Sequence, residues 1–302
     1  MKKQTQHNIC WSQVGFLSTV LIFSMLNLGK AEAQNRKFID PKSENGKLVG
    51  IVTQLDGSGG IGNGFVIGAG GCNVLANVHT TYGIGKDSQG NAVLVNDMSV
   101  GRKVRFQTDF DSKTKKFKRE IKASVIEIGN FVADTRRGRT QDVAVLKLDT
   151  CLGPEYGTLA FDHEASSKRF PEADLVTVGF GAINGEVGII MEECSALQST
   201  PTTGLIITNC FSEPISSGMM YLERRKADGK LRLVGIHQGR ETLADGTNVP
   251  VAVYARAFNP IVERALGENS PIAIGPIVGD RAPQNDQTAL LVAPSRARTV
   301  VR

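Results

Sequence analysis

The chain has 302 residues, 41% of them hydrophobic, and its 35 basic and 30 acidic side chains give a net charge of +5. This length supports one large domain or two small ones, with a sizeable core. The densest basic segment, 103–122, interleaves only three phenylalanines with its charge, so composition argues against nucleic-acid binding and no nucleic-acid partner is expected.

The first 33 residues have the pattern of an export signal. Two lysines near the start precede a mostly apolar stretch at 14–28, and a small-x-small cleavage site follows at 31–33. The apolar stretch is short for a membrane span. We therefore expect cleavage after Ala33, a periplasmic or secreted protein, and no membrane anchor afterwards. Residues 34–46 would then form the mature N-terminus or a pro-segment.

Between residues 47 and 266 the pattern is one of short strands and turns, typical of a β-barrel or a β-sandwich. The strands form two sets, and two antiparallel six-stranded β-barrels would account for them, which makes the predicted fold class all-β. The predicted strands lie at 48–53, 64–67, 74–78, 104–107, 121–128 and 143–148, and then at 175–180, 187–191, 205–208, 219–222, 231–237 and 251–254.

A linker-like segment, Cys151-Leu152-Gly153-Pro154, separates the two sets. We therefore place the N-terminal barrel at 47–152 and the C-terminal barrel at 153–266. Asn259-Pro260 predicts the start of a short C-terminal helix. Residues 267–302 have no periodicity and are predicted to form a flexible tail.

Four cysteines remain once the first 33 residues are removed. An even number in an exported chain favours disulfides over a metal site, and the spacing contains no CxxC pair. Residue spacing alone leaves all three pairings open. The four are Cys72, Cys151, Cys194 and Cys210.

Three polar residues then follow one another in the order His, Asp, Ser. His79 ends a glycine-rich apolar segment, Asp142 precedes the run VAVLKL, and Ser217 directly precedes Gly218. This order is one of several that assemble a base, an orienting carboxylate and a nucleophile. Taken singly, Asp142 could be a turn residue that enters a strand, and His79 a buried core histidine.

The segments GNGFVIG, VLANVH, DVAVLKL and the Ser-Gly followed by LVGIHQG resemble the motifs of chymotrypsin-fold serine endopeptidases. They are most similar to the bacterial branch that includes the staphylococcal glutamyl endopeptidase. The resemblance covers 47–266 and implies that His79 is the general base, Asp142 its orienting carboxylate and Ser217 the nucleophile. We expect a monomer that acts on a peptide or protein substrate without a cofactor or metal.

The segment around the nucleophile departs from the family pattern Gly-x-Ser-Gly-x-Pro. This chain has Ile215 at the first glycine and Met220 at the proline. By resemblance, the amides of Ile215 and Ser217 would form the oxyanion hole. A β-branched residue is stiff and disfavours positive φ. The alternative hypothesis is therefore a catalytically impaired relative that uses the fold for binding.

The resemblance also indicates a specificity pocket. Phe211 stands where trypsin-like enzymes have an aspartate, which argues against specificity for arginine or lysine. Ser212 and His237 align with the hydroxyl and the histidine that glutamyl endopeptidases use to bind an acidic side chain, and Gly239 would belong to the same pocket. These groups can hydrogen-bond a carboxylate. Alternatively, His237 merely ends a strand and pairs internally.

The resemblance further implies a disulfide pairing. Many bacterial relatives have a bridge at places comparable to Cys194 and Cys210. Cys72 would then pair with Cys151, which would join the histidine-bearing strand to the start of the linker.

Overall fold

The computed structural model describes residues 36–55, 60–94, 98–132, 136–156, 174–200, 204–224, 231–243 and 245–267. The predicted export signal, and the predicted C-terminal tail apart from its first residue, Gly267, lie outside these ranges, so both stay predictions. Within the described ranges, no helix combines the length and apolar composition needed to cross a membrane.

The described residues form fifteen β-strands and three short α-helices. The helices are α1 (Val78–Tyr82), α2 (Arg136–Arg139) and α3 (Ala255–Leu266). The strands are β1 (Arg36–Phe38), β2 (Val49–Gln54), β3 (Gly62–Ile67), β4 (Asn73–Ala76), β5 (Ile84–Lys86), β6 (Ala92–Leu94), β7 (Lys103–Asp111), β8 (Lys116–Ile128), β9 (Ala144–Leu148), β10 (Asp174–Ile183), β11 (Glu186–Thr200), β12 (Leu205–Thr208), β13 (Met220–Arg224), β14 (Leu231–Thr242) and β15 (Asn248–Tyr254).

Six antiparallel strands close the first barrel in the order β2-β3-β4-β9-β8-β7. In β7, every second residue points inward, so Val104, Phe106 and Phe110 are buried while their neighbours are not. This alternation follows from the pleat of a strand with one face on the core. Strand β3 is buried along its whole length because it also faces the second barrel.

The second barrel is a ring of six strands in the order β11-β10-β13-β14-β15-β12, closed by pairing between β12 and β11. Strand β1 adds to the outer side of β11, with Lys37 opposite Met191. The predicted fold class, two antiparallel six-stranded barrels with a short C-terminal helix, is confirmed. Each of the twelve predicted strands overlaps an observed one.

Three local features differ from the sequence-based expectation. Strand β1 and the hairpin of β5 and β6 were not predicted. The strand before His79, predicted to reach residue 78, ends at Ala76, and His79 is the second residue of α1.

The predicted start of the C-terminal helix at Asn259-Pro260 is wrong. Helix α3 begins at Ala255, and Pro260 lies inside it. Proline removes one backbone donor from a helix interior. Burial of Phe258, on the N-terminal side of the proline, and of Ile261 and Val262 after it offsets that loss.

The strands of the first barrel end at Leu148 and those of the second begin at Asp174. Residues 157–173 between them lie outside the described ranges. The domain boundaries at 47, 152 and 266 therefore stay predictions.

Two disulfides join distant parts of the chain. Cys72, just before β4, bonds to Cys151, just after β9. Cys194 in β11 bonds to Cys210, which follows β12. These are the two pairs that the resemblance implied.

Replacing both Cys72 and Cys151 with serine should lower the free energy of unfolding more than replacing both Cys194 and Cys210. The first bridge spans 79 residues and the second 16, for which chain entropy in the unfolded state gives roughly 4.5 and 3 kcal/mol. Urea unfolding of the two double variants beside the parent protein measures the difference. Equal losses, or a larger loss for the second pair, would contradict this expectation.

Candidate active site

Asp142, His79 and Ser217 are joined by an unbroken series of hydrogen bonds. Asp142 Oδ2 lies 2.6 Å from His79 Nδ1, and His79 Nε2 lies 2.9 Å from Ser217 Oγ. The Asp142 side chain is fully buried, and that of His79 is 15% exposed. Because a carboxylate accepts the Nδ1 proton, Nε2 is left as the acceptor that faces the hydroxyl.

Two further hydrogen bonds, each between a backbone group and a side chain, fix the histidine and the aspartate relative to each other. The backbone N–H of His79 donates to Asp142 Oδ1 at 3.0 Å. The fully buried Asn77, which precedes α1, donates its side-chain amide to the Asp142 carbonyl at 2.9 Å. The end of β4 and the start of β9 are thus fixed relative to each other.

Ser217 lies in what we call the serine loop, residues 211–219, which contains the 3₁₀ turn Pro214–Ser216. The backbone N–H of Glu213 donates to Ser216 Oγ at 3.0 Å and caps this turn. Ile215 is not among the described non-glycine residues with positive φ, so its backbone has the negative φ that a β-branched residue prefers. Its side chain packs against the main core.

Most backbone groups of the serine loop are hydrogen-bonded. Within the part of the chain that the structure describes, the N–H groups of Ile215 and Ser217 have no partner. The N–H groups around them do: those of Ser216, Gly218 and Met219 donate to the carbonyls of Glu213, His237 and Ser216 at 2.8, 2.8 and 2.9 Å.

The serine loop meets the first barrel backbone to backbone. The carbonyl of Ser217 accepts the N–H of Asn63 in β3 at 2.6 Å. Gly218 has a φ of +83°, and a Cβ atom there would lie 2.1 Å from the Asn63 carbonyl oxygen. Only glycine fits such an approach.

The two predicted pocket side chains, Ser212 and His237, contact each other. Ser212 Oγ lies 2.9 Å from His237 Nε2, and the Tyr221 hydroxyl lies 3.0 Å from His237 Nδ1. Burial, and to a smaller extent the charges of His79 and Arg240, lowers the pKa of His237 to about 3. His237 is therefore neutral near pH 7. The prediction that His237 ends a strand is wrong, because β14 continues to Thr242. The other part of that alternative, internal pairing of the ring, matches the contacts with Ser212 and Tyr221.

The backbone bends at the third predicted pocket residue. The register of β14 against β15 shifts between His237 and Gly239, which marks a bulge. Arg240 follows directly, and its guanidinium donates to the Ser212 carbonyl. Arg139 of α2 donates to the Arg240 carbonyl at 3.4 Å. A positive charge therefore lies beside the Ser212–His237 pair.

Arg36 of β1 contacts the start of the serine loop. Its side chain is only 4% exposed, and its guanidinium lies 3.8 Å from the centre of the Phe211 ring. The same group is 3.5 Å from Glu213 Oε1. Glu213 in turn accepts the Ala182 N–H at 3.0 Å. The N-terminal strand thus holds the residues that precede the 3₁₀ turn.

Sequence reasoning missed Asn63, Arg36 and Arg240. Asn63 gave one signal, a polar residue between two glycines at the start of a buried strand. Neither arginine belonged to a recognised motif. Within the described residues, no group of three or more His, Cys, Asp or Glu side chains is placed to hold a metal ion.

No model of a known protein family matches the chain, and no curated protein matches it by sequence. Among solved structures, that of a Glu endopeptidase in complex with MPD matches with a TM-score of 0.53 at 16% sequence identity. The match covers 76% of this chain and 96% of that chain. The chain therefore has the chymotrypsin fold, and at this identity the likeness establishes the fold alone.

Lowering the pH should destabilise the protein partly through His237. Its pKa of about 3 in the folded state lies below the ordinary 6.5, so between these values the unfolded chain binds a proton that the folded chain does not. The contribution is complete above about pH 6.5 and is lost as the pH falls towards 3. His237→Gln should therefore lose less free energy of unfolding than the parent between about pH 7.5 and 4.5, by roughly 2–3 kcal/mol.

Urea unfolding of the parent and of His237→Gln at both pH values measures this difference. The comparison between the two proteins removes the contribution of the other titrating groups. Equal losses in both would contradict a neutral His237.

Proposed function

We propose that this chain is an exported serine endopeptidase that hydrolyses peptide bonds through an acyl-enzyme. The observation that supports this best is the series of hydrogen bonds from the buried Asp142 through His79 to Ser217. A serine hydroxyl is weakly nucleophilic near neutral pH unless a base lies within hydrogen-bond reach. Here a base lies within that reach, and a carboxylate holds its ring.

In the proposed first step, Ser217 Oγ attacks the scissile carbonyl carbon while His79 Nε2 takes the hydroxyl proton. Asp142 stabilises the imidazolium ion that forms. His79 then gives the proton to the leaving amine, which breaks the peptide bond and leaves the acyl group on Ser217. A water molecule, deprotonated by His79, attacks the acyl carbon and releases the acid and the free serine.

The developing oxyanion would accept hydrogen bonds from the N–H groups of Ile215 and Ser217. Loss of one such donor costs about 2.7–4 kcal/mol of barrier, or roughly 10²–10³ in rate. The backbone of the serine loop therefore decides between an efficient enzyme and the impaired relative that is the alternative.

Export is supported by the four cysteines as well as by the N-terminal pattern. The two bridges, Cys72–Cys151 and Cys194–Cys210, involve every cysteine that follows residue 33. Disulfides persist in the periplasm and outside the cell, and are rare in the cytosol.

A preference for an acidic side chain before the scissile bond is part of the proposal. Ser212 can offer a hydroxyl to a carboxylate, but the buried and neutral His237 adds no charge. Arg240 supplies the charge, because only one of its five donors is needed for the Ser212 carbonyl. A guanidinium matches a carboxylate in geometry as well as in charge.

A fluorophosphonate probe should label the folded protein at Ser217. Labelling requires the hydroxyl and the base, so Ser217→Ala should abolish it and His79→Ala should slow it by roughly 10⁴-fold or more. Mass spectrometry of the labelled peptide identifies the site. Absence of the adduct in protein shown by circular dichroism to be folded would favour the impaired binding protein.

Arg240→Gln should lower the preference for glutamate over glutamine before the scissile bond by roughly 10–100-fold, which is the worth of a hydrogen bond to a charged group. The ratio of the two kcat/KM values on matched peptides measures this. Arg264→Gln is the control, because Arg264 lies on α3 and pairs at 2.7 Å with Glu127, away from the triad. An unchanged ratio in Arg240→Gln would remove Arg240 from substrate recognition.

A further inference from the structure

Asn63 makes several polar contacts across the interface between the two barrels. It lies in β3 of the first barrel and is 1% exposed. Its side-chain amide donates to the carbonyl of Ile215 at 2.7 Å and to that of Phe180 in β10 at 3.2 Å. Its side-chain oxygen accepts the N–H of Phe180 at 2.5 Å.

These contacts are consistent with only one orientation of the amide. The two carbonyl partners need a donor, and the Phe180 N–H needs an acceptor. The NH₂ group therefore faces the carbonyls of Ile215 and Phe180, and the oxygen faces the Phe180 N–H. Both amide hydrogens are used, so this buried group is satisfied almost completely.

The backbone of the same residue holds the next part of the serine loop. The Asn63 N–H donates to the Ser217 carbonyl at 2.6 Å, so one residue binds the carbonyls of both Ile215 and Ser217. Each bond fixes the plane of the peptide to which the carbonyl belongs. The two fixed peptides flank the peptide whose N–H is that of Ser217.

We infer that the Asn63 side chain is a positioning residue for the oxyanion hole. It holds the Ile215 carbonyl and thereby fixes the peptide that joins Ile215 to Ser216, next to the place where the motif otherwise has a flexible glycine. The inference rests on the proposed hydrolytic function. It accounts for how a chain with isoleucine at this place keeps a defined serine loop.

Asn63→Asp is the sharpest test because it changes one NH₂ group to oxygen at nearly constant volume. The oxygen that accepts the Phe180 N–H remains, whereas the new one faces two carbonyl oxygens and repels them. With a chromogenic peptide ester that has glutamate before the scissile bond, we expect kcat to fall by about 10²-fold while KM changes by less than about 3-fold.

A second readout separates positioning from general destabilisation. A peptide boronate forms a tetrahedral adduct with Ser217 that places an oxygen in the oxyanion hole, whereas the product peptide binds without forming such an adduct. Asn63→Asp should weaken boronate binding by about 10²-fold and product binding by less than about 3-fold. The loss should shrink, relative to the parent, as the pH falls, because a buried carboxyl protonates above its usual pKa and then regains a donor.

Thr108→Val is the matched control. Thr108 is fully buried in the first barrel and donates to the Val49 carbonyl at 3.3 Å, so the variant also removes a buried bond from a side chain to the backbone. It should change kcat and boronate binding by less than about 2-fold, because Thr108 does not contact the serine loop. An unchanged kcat in folded Asn63→Asp, or equal effects of the two variants, would overturn the inference.

Failure of the proposed function would look different. If fluorophosphonate does not label Ser217 in the parent protein, the hydrolytic proposal fails, but the role of Asn63 can still be measured. Amide hydrogen exchange in peptides that cover residues 211–219 should be faster in Asn63→Asp than in the parent and in Thr108→Val. Unchanged exchange there would overturn the inference irrespective of catalysis.

Discussion

The close contact between the backbone of β3 and the serine loop is the constraint on which the rest of the site depends. The Asn63 N–H and the Ser217 carbonyl form a 2.6 Å hydrogen bond. At Gly218 the two backbone segments lie so close that a Cβ atom would not fit between them. Because this contact is made by backbone atoms, it does not depend on the choice of a side chain at Asn63 or Ser217. The same contact places Ser217 Oγ within hydrogen-bond reach of His79 Nε2, at 2.9 Å.

The ionisable side chains around the site differ in how their charges are compensated. Asp142 is a fully buried carboxylate that two groups of His79 contact, which is the compensation that a buried charge requires. His237 is also buried but stays neutral, chiefly because burial lowers its pKa, and the Ser212 and Tyr221 hydroxyls contact its ring. Arg240 is a positive group beside the Ser212–His237 pair, and Arg36 neutralises Glu213 in the serine loop.

The fold could be predicted from the sequence because its signals are local. Alternation in segments such as β7 and turn residues between strands are readable over a few positions. Strand β1 was missed because it is short and contains Arg36 and Lys37, and it forms only against the edge of β11. The helical position of His79 was missed because α1 has five residues and no capping side chain.

The site was predictable only in part, and for a different reason. The triad residues belong to motifs that can be recognised one at a time. The partners of Asn63, by contrast, lie 117 and 152 positions away in the chain, so no local pattern could connect them. Ile215 shows the same limit, since its carbonyl accepts a hydrogen bond from a side chain of the other barrel.

The division of the triad between the barrels also affects the order in which the protein becomes competent. His79 and Asp142 both come from the first barrel, so their pairing needs nothing from the second. Ser217 reaches them only when the second barrel has closed and docked against β3. A nascent chain with one barrel formed would hold a base without a nucleophile. Any hydrolytic capacity would thus arise only after both barrels have formed and docked.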